Sequence, residues 1–162
     1  MIPNQFAYLA LLSHSEGTDR WTDSYRVCFS GRHSIVDFSD HPTDTGEWAG
    51  EPLDFLGGRY VGKVSTAAGR YQLRVETWRE AKAALGLADF SPHSQDDAAL
   101  WLIKRRGALA DVTAGDILDA IEKCRNEWAS LPGGTSGQPE MKLASCIGEF
   151  INSGGTLALA AP

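Results

Sequence analysis

Apolar residues at helical spacing recur along most of this chain and are separated by short polar segments. Residues 6–12 are apolar on every side and are followed by Gly17, which predicts a buried helix ending at a glycine. Residues 71–85 carry apolar side chains at helical spacing up to Gly86. Ser91-Pro92 then predicts a capped helix that runs to Gly107. The pattern therefore predicts a mainly helical chain.

Two more amphipathic stretches follow in the second half of the chain. Thr113 and Asp116 have the spacing of a capping box before the next helix. The apolar face of that helix is predicted at Ile117, Ile121, Cys124 and Trp128, and that of the last helix at Met141, Ala144, Ile147 and Ile151. Residues 157–162 are expected to form a loose tail.

The segment 21–62 has a different character, rich in Pro, Gly, Asp and Ser. Its runs 25–29 and 34–38 are separated by Ser30-Gly31-Arg32, which predicts a hairpin followed by a long irregular loop. We therefore expect an α+β fold and one catalytic domain over residues 1–162. Residues 21–64, approximately, would form a β-rich subdomain and cleft lip, and residues 65–156 a helical body.

Composition and charge exclude several classes of protein. The net charge is −6, from 21 acidic and 15 basic side chains, which opposes binding to nucleic acid or to anionic membranes. No apolar run is long enough for stable membrane insertion, and the first residues lack the basic region of a signal peptide. Cys28, Cys124 and Cys146 are far apart and are expected to be buried thiols in a reducing compartment. We expect a monomer that stays in the cytoplasm until it is released.

Glu16 is the first candidate for chemistry. It follows the apolar helix, where the helix dipole is negative and apolar neighbours remove water from the carboxylate. Both effects raise the pKa of a carboxyl group, as a general acid near neutral pH requires. A solvated glutamate before a helix-ending glycine is the alternative reading of the same placement.

Three other segments have the composition of ligand sites. Residues 65–73 combine small residues with Tyr71 and Gln72, an aromatic face and an amide suited to a sugar. Residues 130–138 are rich in glycine and suit either a cleft lip or a flexible connector. Asp40 and His41 precede a proline, and we interpret them as turn formers rather than as a catalytic pair.

Taken together, these pieces resemble the lambda-type phage endolysins, or lambda lysozyme family. The resemblance rests on an ordered set of motifs across nearly the whole chain: SEGTD at 15–19, FSDHP at 38–42, AGRYQL at 68–73, LGL at 85–87, DFSP at 89–92, SQD at 94–96, RGAL at 106–109, WASLPG at 128–133 and GQ at 137–138. Two features depart from the family pattern. Ser136 stands where an aromatic residue is expected to stack on sugar, and residues 43–64 differ.

This resemblance implies a lysozyme-like fold and lytic transglycosylase activity on peptidoglycan. Glu16 would be the single catalytic acid, and Ser15, Tyr71, Gln72 and Gly137 would bind the glycan strand. No cofactor or metal is implied. Release to the cell wall would depend on a holin.

Three rival functions stay open at this point. A hydrolytic muramidase would pair Glu16 with a second carboxylate, for which the candidates are Asp19, Asp23, Asp37 and Asp40. A zinc enzyme is a further rival. His14-Ser15-Glu16 matches the H-x-E half of a zinc deaminase signature, but the P-C-x-x-C half is absent. A zinc amidase or peptidase would instead use His14, His33 and His41 as ligands. A non-catalytic wall-binding module would more often be basic or repetitive, and this chain is neither.

Overall fold

The computed structural model describes residues 1–134 and 140–159, and this part of the chain contains six α-helices and four short strands. The helices are α1 (Pro3–Ser15), α2 (Val75–Leu85), α3 (Pro92–Arg105), α4 (Leu109–Ala114), α5 (Ile117–Cys124) and α6 (Leu143–Asn152). The strands are β1 (Val27–Cys28), β2 (His33–Ser34), β3 (Glu51–Pro52) and β4 (Val64–Ser65). The predicted α+β class, mainly helical with a small β part, is confirmed.

The chain divides into two compact units. The terminal unit comprises residues 1–17 and 99–162, and the central unit comprises residues 18–98. The boundary falls inside α3, so this helix belongs to both units. Among the described residues, no helix has both the length and the apolar character needed to cross a membrane.

Helix α1 is the centre of the terminal unit. It packs against α4 and α6, and Tyr8, Leu11 and Leu12 are fully buried. Its apolar sequence thus forms a core helix, as predicted. Near its start, the Asn4 side chain donates to the carbonyl oxygens of Thr113 and Thr156 and accepts from the amide of Thr156. These bonds connect both ends of the chain within one unit.

Three expectations for the terminal unit are wrong. Thr113 does not start a capping box, because it lies inside α4, and the turn at Gly115 (φ +84°) separates it from α5. In α6 the buried residues are Cys146 and Phe150, whereas Ala144 and Ile151 are exposed. The described part of the predicted loose tail, residues 157–159, is attached to the turn after α4, since the Ala158 amide donates to the Gly115 carbonyl at 2.9 Å.

Short antiparallel pairs form the β part of the central unit. Strand β1 pairs with β2 (Val27 opposite Ser34), so the predicted hairpin is confirmed, although it is shorter than expected and residues 35–38 are not strand. Strand β3 pairs with β4, with Glu51 opposite Ser65. No pattern in the sequence indicates β3, because a two-residue strand has no alternation to detect.

A hairpin-like turn at residues 68–73 replaces the predicted start of α2. Ala68 and Leu73 exchange backbone hydrogen bonds of 3.0 and 2.8 Å, so Tyr71 and Gln72 lie in the turn and α2 begins only at Val75. The turn is attached to β1, because the Gly69 amide donates to the Val27 carbonyl at 2.9 Å. The start of the predicted helix at residue 71 is therefore wrong.

The cores of the two units contain the cysteines and many of the large apolar side chains. Trp78 and Phe90 are fully buried in the central unit and meet edge to face, with ring centroids 4.7 Å apart. Cys28, Cys124 and Cys146 are buried free thiols, as predicted. Burial raises the pKa of Cys28 to about 12 and that of Cys124 and Cys146 to about 11, so all three thiols stay protonated at neutral pH.

The turn at 68–73 requires a residue without a side chain at position 69. The φ of Gly69 is +77°, and a Cβ atom there would lie 2.2 Å from Gln95 Oε1, on a fully buried side chain. Gly58 also has a positive φ, of +54°, but a Cβ there meets nothing within 4 Å. We expect Gly69→Ala to lower the free energy of unfolding by about 3 kcal/mol or more, because backbone strain and loss of the Gln95 bonds add up.

Gly58→Ala is the matched control and should cost only the backbone strain, about 1 kcal/mol. Urea unfolding of both variants measures the difference. Equal losses in the two variants would show that the Gln95 contact does not constrain Gly69.

Candidate active site

Glu16 is the residue at which α1 ends. Its amide still donates to the Leu12 carbonyl at 3.0 Å, and Gly17 then turns the chain with φ +67°. The sequence prediction of a helix that ends at this glycine is thus confirmed. The Glu16 side chain is partly buried.

One serine hydroxyl forms a hydrogen bond with the Glu16 carboxyl group within the terminal unit, and a second serine contacts the first. Ser130 Oγ donates to Glu16 Oε1 at 2.6 Å and lies 3.0 Å from Ser15 Oγ. Burial raises the pKa of Glu16 to about 7, although the hydrogen bond from Ser130 acts in the opposite direction. The predicted rise in pKa is therefore present. A carboxyl group of this kind is protonated in a large fraction of molecules near neutral pH and can donate a proton.

The segment after α5 holds Ser130 in place. Trp128 and Leu131 on either side of it are buried, and its carbonyl accepts from the Met141 amide at 2.8 Å. Sequence reasoning placed Ser130 only at the edge of a glycine-rich loop and gave it no role. A serine far from Glu16 in sequence carries no signal for this contact, since the fold alone brings the two together.

Tyr71 and Gln72 belong to the central unit. Gln72 has a φ of +50°, which is rare for a residue other than glycine. Its Nε2 donates to the carbonyl oxygens of Val27 and Gly69, at 3.0 and 2.9 Å. The strained conformation is thus held by the side chain's own bonds, and strain of this kind often accompanies functional sites. No described residue donates to Oε1 of Gln72.

Tyr71 is buried beneath this turn, with 1% of its surface exposed. Its hydroxyl donates to Asp96 Oδ1 at 2.6 Å, and the Tyr25 hydroxyl donates to the same oxygen at 2.9 Å. Arg70 donates to the Tyr25 hydroxyl at 2.9 Å and lies over the Tyr25 ring. Burial, followed by the charge of Asp96, raises the pKa of Tyr71 far above its usual value. This network supports the turn from inside the unit.

Gln95 also holds the turn, and sequence reasoning did not single it out. Its Oε1 accepts from the Arg70 amide at 2.9 Å, and its Nε2 donates to the carbonyl oxygens of Tyr25 and Phe90. Its position within the SQD motif of α3 was the only signal available. Gln95 and Asp96 together fix the backbone and the ring of the predicted sugar-binding turn.

Three of the four candidate second carboxylates have local structural partners in the central unit. Asp23 accepts from the Tyr25 amide and pairs with Arg26, and Asp37 accepts from the Ser39 amide. Asp40 accepts from Trp78 Nε1 at 2.7 Å and from Lys82 Nζ at 2.6 Å.

Asp40 and His41 therefore serve the turn, as the sequence interpretation favoured. Partial burial raises the pKa of Asp40, but the bonds from Lys82 and Trp78 outweigh it and leave that pKa below its usual value. His41 is fully buried, its Nε2 lies 3.1 Å from the Leu73 carbonyl oxygen, and burial lowers its pKa. Both side chains hold the segment that precedes α2.

The remaining candidates from the sequence are the histidines considered as zinc ligands and the loop residues Ser136 and Gly137. Within residues 1–134 and 140–159, no three His, Cys, Asp or Glu side chains come together in an arrangement that suits a metal ion. His33 Nε2 lies 2.6 Å from Glu47, which also accepts from the Val36 amide. Gly137 and Ser136 lie outside the described residues, so the predictions made for them stay predictions.

The chain is similar to known phage endolysins over almost its full length. The profile of the Endolysin family matches residues 6–157. The chain is 43% identical to the endolysin of Escherichia phage lambda over 155 residues, covering 93% of this chain and 91% of that protein. It is 41% identical to the endolysin of Escherichia phage P2 over 163 residues, covering 96% and 95%.

Two solved structures have the same fold. Bacteriophage lambda lysozyme complexed with a chitohexasaccharide matches with a TM-score of 0.82 at 42% identity, and covers 97% of both chains. A second structure of lysozyme from bacteriophage lambda matches with a TM-score of 0.81 at 40% identity, again over 97% of both chains. The expected lysozyme-like fold is therefore confirmed.

Fold and sequence together define a peptidoglycan-degrading enzyme of the lysozyme class. The presence of a raised-pKa carboxyl group at the end of the first helix is compatible with this class. The chain belongs to the phage endolysin family.

The support beneath the turn predicts a stability effect at Tyr71. Removal of its hydroxyl in Tyr71→Phe leaves the partly buried Asp96 carboxylate with one donor fewer, and we expect a loss of about 2 kcal/mol in the free energy of unfolding. Tyr60→Phe is the matched control, because the Tyr60 hydroxyl makes an exposed bond with Arg59 and its removal should change stability by less than about 0.5 kcal/mol. Equal effects by urea unfolding would argue against a strong Tyr71–Asp96 bond.

The raised pKa of Glu16 predicts a pH-dependent effect of Glu16→Gln on stability. Between its unfolded pKa of about 4.3 and its folded pKa of about 7, unfolding releases a proton that the folded protein retains. Wild-type stability from this group is therefore full below pH 4 and is lost as the pH rises to about 7. The glutamine variant does not titrate, so it should become more stable than the wild type at pH 8, by on the order of 1–3 kcal/mol.

Urea unfolding of both proteins at pH 4, 6 and 8 measures this difference. A difference that stays constant across these pH values would mean that Glu16 has an ordinary pKa in the folded protein.

Proposed function

We propose that this endolysin cleaves the β-1,4 bond between N-acetylmuramic acid and N-acetylglucosamine by lytic transglycosylation, with Glu16 as its single catalytic acid. The observation that carries this proposal is the partly buried Glu16 carboxyl group with a pKa of about 7, whose hydrogen-bond partner is the neutral hydroxyl of Ser130. A protonated acid at working pH is the first requirement for cleavage of a glycosidic bond.

The reaction has two proton transfers through the same carboxyl group. Protonated Glu16 donates to the glycosidic oxygen as the bond to the muramyl C1 breaks. The muramyl C6 hydroxyl then attacks C1, and the ionised Glu16 takes up the hydroxyl proton. The product is a 1,6-anhydromuramyl end, and no water is consumed. Because the attacking hydroxyl belongs to the same sugar, proximity replaces the second carboxylate that a hydrolase requires.

The surroundings of the other carboxylates support a one-acid scheme. Asp23, Asp37 and Asp40 each hold local backbone or side-chain partners of the central unit. A base or nucleophile that is already hydrogen-bonded to a lysine and an indole, as Asp40 is, would have to give up those bonds to act. Asp19 also has interactions in the structure.

We assign substrate binding to Ser15, Gln72 and Gly137, with Tyr71 in support. Bound chitohexasaccharide in the related lambda lysozyme supports a glycan strand as the ligand of this chain. We assign Gln72 Oε1 and the Ser15 hydroxyl to sugar contacts, and Gly137 to the same role from its motif. Tyr71 would act by supporting Gln72, since its ring is buried. No cofactor enters this scheme, and a holin is expected to give a monomeric enzyme access to the wall.

The mass of the released muropeptides tests the proposal. We expect wild-type protein to release products lighter by one water than those of a hydrolytic muramidase, and Glu16→Gln to release none while it stays folded. Asp40→Asn is the informative comparison, and should lose stability rather than change the product, because Trp78 and Lys82 lose a charged partner. Hydrated products from the wild type would assign hydrolysis instead, and full activity of Glu16→Gln would remove Glu16 from the mechanism.

A further inference from the structure

Ser130 has one hydrogen and two neighbours that accept it. Its Oγ lies 2.6 Å from Glu16 Oε1 and 3.0 Å from Ser15 Oγ. The Ser15 hydroxyl in turn donates to the Leu12 carbonyl of its own helix, at 3.0 Å. A serine hydroxyl has a single donor and two lone pairs. Ser15 therefore uses its hydrogen within α1 and faces Ser130 as an acceptor.

The hydrogen of Ser130 decides which oxygen of Glu16 carries the acid proton. If Ser130 donates to Oε1, that oxygen is an acceptor, and the proton of the neutral carboxyl group must lie on Oε2. If Ser130 donates instead to Ser15, Oε1 is free to carry the proton and to donate it to Ser130, away from any substrate. When Glu16 is ionised its carboxylate can only accept, and the 2.6 Å contact has the length of a hydroxyl that donates to a carboxylate oxygen. In that state the Ser130 hydrogen points to Oε1, so the next proton is taken up on Oε2.

We propose that Ser130 is a positioning residue that donates to Glu16 Oε1 and so directs the acid proton to Oε2, the oxygen that no described residue contacts by a hydrogen bond. This inference rests on the proposed role of Glu16 as the acid. It adds a residue that the sequence motifs did not identify as functional. Ser15 acquires a second task, as the competing acceptor for the same hydrogen.

The segment that carries Ser130 is fixed well enough for this role. Leu131 is fully buried, and the Ser130 carbonyl accepts from the Met141 amide at 2.8 Å. Just before it, Glu127 pairs with Arg105 at 3.1 Å and with Arg106 at 2.7 Å. A hydroxyl group held on both sides loses little freedom when it forms its bond, which favours a defined geometry.

Charged neighbours do not account for the behaviour of Glu16. The titratable groups of the elements around it are His14 on α1, Asp19 beyond its end, Glu127 paired with Arg105 and Arg106, Glu140 bonded to the Gly133 amide, Asp111 of α4 paired with Lys123, and Glu149 of α6 bonded to Ser153. The pKa of Glu16 is governed by burial and by the Ser130 bond.

Two serine deletions and one conservative replacement test the proposal. The ionisation of Glu16 is followed by NMR titration of glutamate side-chain carboxyl carbons, with Glu16→Gln to assign the signal. Ser130→Ala removes the donor to the ionised form, so Glu16 should become about tenfold weaker as an acid. Ser15→Ala removes the competing acceptor and leaves the Ser130 donor in place, so it should not weaken the acid. Ser130→Thr keeps a hydroxyl group and should restore the wild-type titration, and it remains informative if the alanine variant folds poorly.

Cleavage rates at pH 5 separate proton placement from ionisation, because Glu16 is then protonated in every variant. We expect Ser130→Ala to lower kcat about two- to tenfold with little change in KM, as the proton spreads over both oxygens and the carboxyl group rotates more freely. Wild-type kcat at pH 5 in this variant, or equal weakening of the acid by both alanine substitutions, would overturn the proposal. If the serine variants titrate as predicted but Glu16→Gln still cleaves peptidoglycan, the proposed role of Glu16 as the acid would be overturned instead.

Discussion

A carboxyl group that remains protonated near neutral pH needs both shelter from water and the absence of a cation beside it. Glu16 meets the first condition at the end of α1, where burial raises its pKa to about 7. The hydrogen bond from the neutral Ser130 hydroxyl lowers the pKa of Glu16, but by less than burial raises it. An arginine or lysine in the place of Ser130 would hold the carboxyl group ionised and so remove the proton that the proposed reaction needs. The proposed mechanism and the proposed role of Ser130 both depend on this balance.

The central unit applies a different constraint, which is to hold an unfavourable backbone in place. Gln72 has a positive φ, and Gly69 has no room for a side chain because Gln95 fills the space. The polar side chains that hold this turn are themselves paired: Gln95 with three backbone groups, and Asp96 with two tyrosine hydroxyls. A satisfied buried network of this kind makes one conformation much more stable than its alternatives.

Sequence reasoning succeeded where a local pattern determines the structure. The apolar run of α1 and its glycine end, and the Ser91-Pro92 start of α3, depend on neighbours a few residues apart. It failed where distant contacts override the pattern. Tyr71 has helical spacing but lies in a turn that pairs with β1, and Ile151 faces out because Cys146 and Phe150 are the residues that face the unit core. Strand β3 gave no signal at all.

By itself, the sequence determined the helical class, the position of Glu16 at a helix end and, through its ordered motifs, the family. These features depend on short-range periodicity, on backbone preferences of glycine and proline, or on motif order. Only the tertiary structure placed Ser130 against Glu16, more than 100 residues away along the chain, and Asp96 beneath Tyr71. Contacts between residues so far apart are set by how the helices pack, and no local pattern encodes them.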